Sequence, residues 1–134
     1  MSVKPYLIFN GRCEEALEFY KKALDAKVET LMRFDEAPDQ SQIKPESKKK
    51  IMHSAFRVSD TEVLASDGYC TGQTDFQGFG LALSAKDVAE AERLFEALGE
   101  GGQVQAPLTE TFFASRFGMV ADKFGVSWMV VTEQ

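Results

Sequence analysis

EALEFY, residues 15–20, returns as EAERLF, residues 90–95. Each hexamer lies inside a longer helical pattern. In the first, Ala16, Leu17, Phe19, Tyr20, Ala23 and Leu24 fall at helical spacing, with Glu14, Glu15, Lys21 and Lys22 opposite them. Acids lead and lysines trail, as the helix dipole prefers. In the second, AKDVAEAERLFEALGEGG, one face carries Val88, Ala91, Leu94, Phe95 and Leu98, and glycines stop the helix.

The surroundings of the two helices also match. LIF precedes the first and VET follows it; LAL and VQA do the same for the second. IMHSAFRVS (51–59) and EVLAS (62–66) form the two strands of a hairpin. TFFASRFGMVADKFGVSWMVV (111–131) supplies two more strands about a turn at Asp122-Lys123-Phe124-Gly125, where Gly125 is free to take positive φ. The pattern is β-α-β-β-β, twice, over about 1–70 and 76–134, with a Gly-rich polar stretch between the copies. An internal duplication outranks local propensity in deciding a fold. The expected class is α+β, one domain of two modules.

At 134 residues the chain can bury a real core. Hydrophobic residues make up 44% and charged residues 27%, ordinary for a globular protein. A net charge of −6 disfavours nucleic acid, which asks for a clustered cationic face. No apolar run reaches the length of a membrane span, and MSVKPYLIFNG lacks the apolar core of a signal peptide, so a cytoplasmic protein is expected. Cys13 and Cys70 share no motif spacing and read as free thiols. The polar stretch 35–50, with two prolines and the run Lys48-Lys49-Lys50, reads as a solvated loop able to act as a lid. Phosphate loops, dinucleotide fingerprints, Cys-x-x-Cys and serine-elbow motifs are missing.

The blocks PYLIFNG, CEEALEFYKKAL, IMHSAFRV and PLTETFFASRFGMVADKFGVSWMV resemble the PhnB-like group of the vicinal oxygen chelate superfamily, which includes glyoxalase I, extradiol dioxygenases and fosfomycin-resistance proteins. The resemblance covers nearly the whole chain. It implies tandem βαβββ modules, a glyoxalase-like fold, with sheets curled around a cavity and helices outside, and a homodimer. The group's occasional methyltransferase label finds no glycine-rich cofactor turn after a strand here. Metal-dependent members carry His and Glu on the first and last strands of each module. The corresponding positions here are Lys4, Gly80 and Val130, with a fourth near Leu64 to Ser66. None is a good divalent ligand, and the single histidine falls short of the ligand set a catalytic site needs. No metal and no cofactor are expected.

His53 is the candidate acid or base, because an imidazole titrates near neutrality. The bland alternative is a histidine hydrogen-bonded within the strand layer or at an interface. Strand parity sends His53, Ala55 and Arg57 away from the helix if Met52, Phe56 and Val58 face it. Arg116 could hold a carboxylate or phosphate bidentately, pair with an acid such as Asp122, or make a subunit contact. Tyr6, Phe113 and Trp128 are either pocket walls or core, with Tyr6 and Trp128 leaning by parity toward the cavity. The expected partner is a small-molecule ligand. Metal-independent binding with acid–base catalysis and non-catalytic sequestration both stay open, as does whether the protein is an enzyme.

Overall fold

In the first half, the helical spacing is realised as α1 (Cys13–Leu24). Its apolar stripe, Cys13, Ala16, Leu17, Tyr20, Ala23 and Leu24, is buried, while Glu14, Glu15, Lys21 and Lys22 stay in solvent. The chain leaves the helix through Asp25 in the left-handed region (φ 55°), whose N–H bonds back to Tyr20 O. The computed structural model describes residues 1–133. Within it the chain divides into a unit of Met1–Thr74 and a second unit that starts at Asp75.

The first unit adds β1 (Tyr6–Ile8), β2 (Lys27–Arg33), β3 (Ile51–Val58) and β4 (Thr61–Ser66). They form one open sheet in the order β1-β4-β3-β2. β1 runs parallel to β4, and the other neighbours are antiparallel. The helix covers one face: Tyr20 stacks on Phe56 of β3 at 5.6 Å, and the Cys13 sulfur lies 3.9 Å from Ser54 Oγ. Residues 34–50 are polar loop with two short 3-10 turns, Phe34–Glu36 and Pro45–Ser47.

The second unit repeats the plan with β5 (Leu81–Ser84), α2 (Val88–Gly99), β6 (Gln103–Thr109), β7 (Arg116–Ala121) and β8 (Ser127–Thr132). Its order is β5-β8-β7-β6, again with the outer first strand parallel to the last. Identical order and identical sense in two halves, each of four strands and one helix, is what a copied unit leaves behind. α2 starts from Asp87, whose carboxylate accepts the Glu90 N–H, while Glu90 in turn accepts the Lys86 N–H. It buries Ala91, Leu94 and Leu98.

Two glycines fix the second sheet. Gly125 takes φ +94° in the turn, where its N–H bonds to Asp122 O. Gly118 of β7 has no room for a side chain. A Cβ there would come within 2.7 Å of the Phe95 ring and 2.8 Å of Leu108 Cα. That contact also identifies the helix face of this sheet as the one carrying Gly118 and Val120.

One expected strand is shorter than its propensity suggests. Aromatic residues favour strands, yet Phe112 and Phe113 precede β7 in a loop. Thr111 and Ala114 close a turn, N–H to carbonyl at 3.0 Å, and Thr111 Oγ1 accepts the Ala114 N–H. The turn leaves Phe112 exposed and Phe113 half-exposed.

Candidate functional site

Each sheet has a face turned away from its own helix. In the first sheet the register lines up Tyr6, Leu64, Ala55 and Thr30 across that face, with His53 beside Met32 one pair further along β3. The Tyr6 and His53 rings are neighbours, 6.1 Å between centroids and tilted by 38°. Tyr6, Ile8 and Met32 are each exposed to between 38% and 45%, so the imidazole sits in a largely apolar surface that solvent reaches. Among the described residues no carboxylate or carbonyl pairs with the His53 ring. The parity expectation for His53, Ala55 and Arg57 matches this placement, since Phe56 is the residue stacked on the helix.

Arg57 is on the same face but its donors are occupied. Nε donates to Glu29 Oε2 at 3.2 Å and Nη1 to Asp60 O at 3.0 Å, with Glu62 Oε2 3.9 Å from Nη2. Glu62 also pairs with Lys4. That contact first, then a hydrogen bond with Glu29, holds the Glu62 carboxyl below its usual range. Lys4 and Arg57 therefore neutralise acids of their own unit.

In the second unit, Phe113 packs edge-on between Phe112 (5.2 Å) and Phe117 (5.4 Å). Arg116 is half-buried and donates from Nη1 to its neighbour's carbonyl, Ser115 O, at 2.7 Å. It makes no ion pair with Asp122. That carboxylate is buried in its own turn, where Oδ1 accepts the Phe124 and Val126 N–H groups.

Trp128 is placed otherwise than parity suggested. It pairs in register with Val120, and Val130 pairs with Gly118, so both lie on the helix face. Trp128 is 2% exposed and donates its indole N–H to Asp122 Oδ2 at 2.9 Å. It is core; the away face of β8 carries Ser127, Met129 and Val131. The physical reason is the turn. Asp122 needs the indole on its own side, and that choice sets the pleat of the whole strand.

A second buried carboxylate escaped the sequence reading. Asp67, 1% exposed, accepts the Gly11 and Cys13 N–H groups through Oδ1 and the Ile51 N–H through Oδ2, all within 2.8 Å. It seats a negative charge at the first turn of α1, where the dipole welcomes it. Its signal was an Asp-Gly after a strand, which also reads as an ordinary turn. Cys13 beneath it is chemically quiet: burial, then the Asp67 charge, pushes its thiol up to about 12.

The donors of the superfamily's metal sites do not fit this chain. Lys4 is cationic and paired, Val130 is buried on the helix face, and Gly80 has no side chain. Among the described residues no three of His, Cys, Asp and Glu gather as a metal-holding group. No helix is long and apolar enough to cross a membrane.

Residues 1–131 match a family model described as 3-demethylubiquinone-9 3-methyltransferase. Protein YjdN of Escherichia coli K12 is 33% identical, over 97% of this chain and 94% of that protein. Protein PA1353 of Pseudomonas aeruginosa superposes with a TM-score of 0.88 at 42% identity, covering 100% of this chain and 98% of that one. A putative 3-demethylubiquinone-9 3-methyltransferase, PhnB protein, from Bacillus cereus gives 0.83 at 25%, covering 98% and 99%. The fold extends to a glyoxylase/bleomycin resistance/dioxygenase domain from Frankia sp. EAN1pec, TM-score 0.69 at 16% identity, covering 100% and 93%.

A methyltransferase description implies a nucleoside-bearing methyl donor, and the residues do not fit one. Nucleotide folds seat such groups at a glycine-rich turn opening onto a helix N-terminus. Here the first turn of α1 already holds Asp67, and that of α2 already holds Asp87. At each helix start one of the chain's own carboxylates stands where such a group would be seated.

Proposed function

The chain belongs to the family described as 3-demethylubiquinone-9 3-methyltransferase, the PhnB-like group of the glyoxalase/bleomycin resistance/dioxygenase superfamily, and from that premise we propose that it is a metal-independent small-molecule binding protein whose ligand docks on the away face of the first sheet. The observation that carries this reading is the Tyr6–His53 pair. A solvent-reached imidazole with no partner of its own stands beside an aromatic ring and among Ile8 and Met32. Such a surface offers one hydrogen-bonding or proton-accepting atom within an apolar bed, the composition ligand sites share. His53 is the acid or base if the bound ligand reacts.

The test is a thermal-shift screen of small carboxylates and phosphonates in EDTA, on wild type and His53→Ala. A ligand that raises Tm in wild type and loses at least half of that shift in the variant supports the reading. Tm that falls in EDTA and returns with a divalent metal overturns it, as does a full shift in His53→Ala. The sequestering alternative draws on the Phe112-Phe113-Phe117 ladder. It predicts shifts that vanish in Phe113→Ala and survive in His53→Ala, with the ligand recovered unchanged.

We further propose a cytoplasmic homodimer. Ile8, Phe79, Val104 and Phe112 are exposed apolar side chains, and each sheet has two edge strands that need cover. Light scattering coupled to size exclusion should give twice the chain mass, and a monomer at micromolar concentration defeats this part.

A further inference from the structure

We propose that the first unit holds a second ligand site, a hollow between the segment 34–47 and the turn 68–70 that receives a small carboxylate on Lys44. The hollow has a volume of about 220 Å³ and is lined by Phe34, Gln42, Ile43, Lys44, Tyr69 and Cys70, with Ser47 and Gly68 completing it. It is a different place from the Tyr6–His53 face, and none of those residues lines it.

Charge selects the ligand. In a chain of net charge −6 this lining contains no carboxylate. Two other lysines of the loop are engaged: Lys49 pairs with Asp35 at 2.7 Å, and Lys50 donates to Gly11 O at 2.8 Å. The Lys44 ammonium has no such partner among the described residues. The side chains of Gln42 and Ser47 likewise make no hydrogen bond among the described residues, so further donors accompany the cation. Phe34 and Ile43 supply an apolar wall for the body of the acid. Size limits it: the volume lies below the roughly 300–1,000 Å³ that drug-sized ligands occupy.

The walls are built. Gln40 Nε2 donates to Phe34 O (3.1 Å) and Ala37 O (2.6 Å), and Ile43 N–H bonds to Gln40 O. Phe34 and Asp35 pair with Lys50 and Lys48 through the backbone. On the opposite wall, Cys70 N–H bonds to Asp67 O at 2.8 Å, and the buried Asp67 carboxylate anchors that turn to β3.

Cys70 provides the readout, because Cys13, the other thiol, is fully buried. Iodoacetate is itself a small carboxylate; iodoacetamide is its neutral twin. Alkylation of Cys70 by each, followed by peptide mass spectrometry, measures how strongly the hollow recruits the anion. Lys44→Gln should lower the iodoacetate rate about threefold and leave the iodoacetamide rate unchanged, the scale of one unit charge acting through solvent-exposed protein. Lys44→Arg should retain the wild-type ratio, and salt should erode it. Benzoate should slow both reagents in wild type and neither in Lys44→Gln. His53→Ala should leave every rate alone, so failure here is separable from failure of the first site. An unchanged ratio in Lys44→Gln overturns the proposal, as does an absence of protection by benzoate. An equal drop in Lys48→Gln also overturns it, because a diffuse field would then be the cause.

Discussion

Asp67 and Asp122 are both buried, and each accepts three N–H groups, yet they organise their halves differently. Asp67 gathers donors from the turn before α1, the first residue of α1 and the first residue of β3. Asp122 accepts three from the six residues that follow it. The first half contains the 34–50 loop between β2 and β3; the second has a shorter link between β6 and β7. A long connection leaves the start of β3 without a local tether, and Asp67 supplies a distant one. A tight turn tethers itself.

Removing each carboxylate should separate the two roles. Asp67→Ala strands buried donors on three segments and should cost about 4 kcal/mol, read from urea unfolding. Amide exchange should quicken together at Gly11, Cys13 and Ile51. Asp122→Ala should cost about 3 kcal/mol, with faster exchange confined to residues 122–128. Exchange that spreads no further than its own turn in Asp67→Ala would break the contrast. A smaller effect sharpens it through Cys13, which lies beneath Asp67 and has no counterpart in the second half. Its folded pKa is raised, from 9.0 to about 12. A thiol raised in this way lends stability that is complete below the unfolded value and is lost as pH climbs from about 9 towards 12. At pH 10 the loss should be about 1 kcal/mol. It shows as the difference in pH dependence between wild type and Cys13→Ala, and equal slopes would rule it out.

The repeated plan was legible because it depends on spacing. Ala16, Leu17 and Tyr20, and Ala91, Leu94 and Leu98, hold their helical intervals whatever the tertiary context. Near the candidate site, His53 could be placed because β3 is regular and Phe56 marks the helix face. Trp128 could not. Its face depends on the pleat beyond a turn, and a single residue of slippage reverses every side chain. Phe112 and Phe113 carry strand propensity, but Thr111 spends its backbone and hydroxyl on a turn. Asp67 was hidden for another reason: its partners Gly11, Cys13 and Ile51 lie 56, 54 and 16 residues away in the chain, and no short window around residue 67 contains them.

The pairing of β1 with β4, and of β5 with β8, sets an order of events during synthesis. A parallel mate for Tyr6–Ile8 exists only once Thr61–Ser66 has left the ribosome. Each half therefore waits for its own tail, and closing that wide ring is the slow entropic step of its folding. The earlier half can finish this closure while the later one is still being translated, so a nascent chain halted far enough past Thr74 for the whole first unit to have left the ribosome should already resist protease.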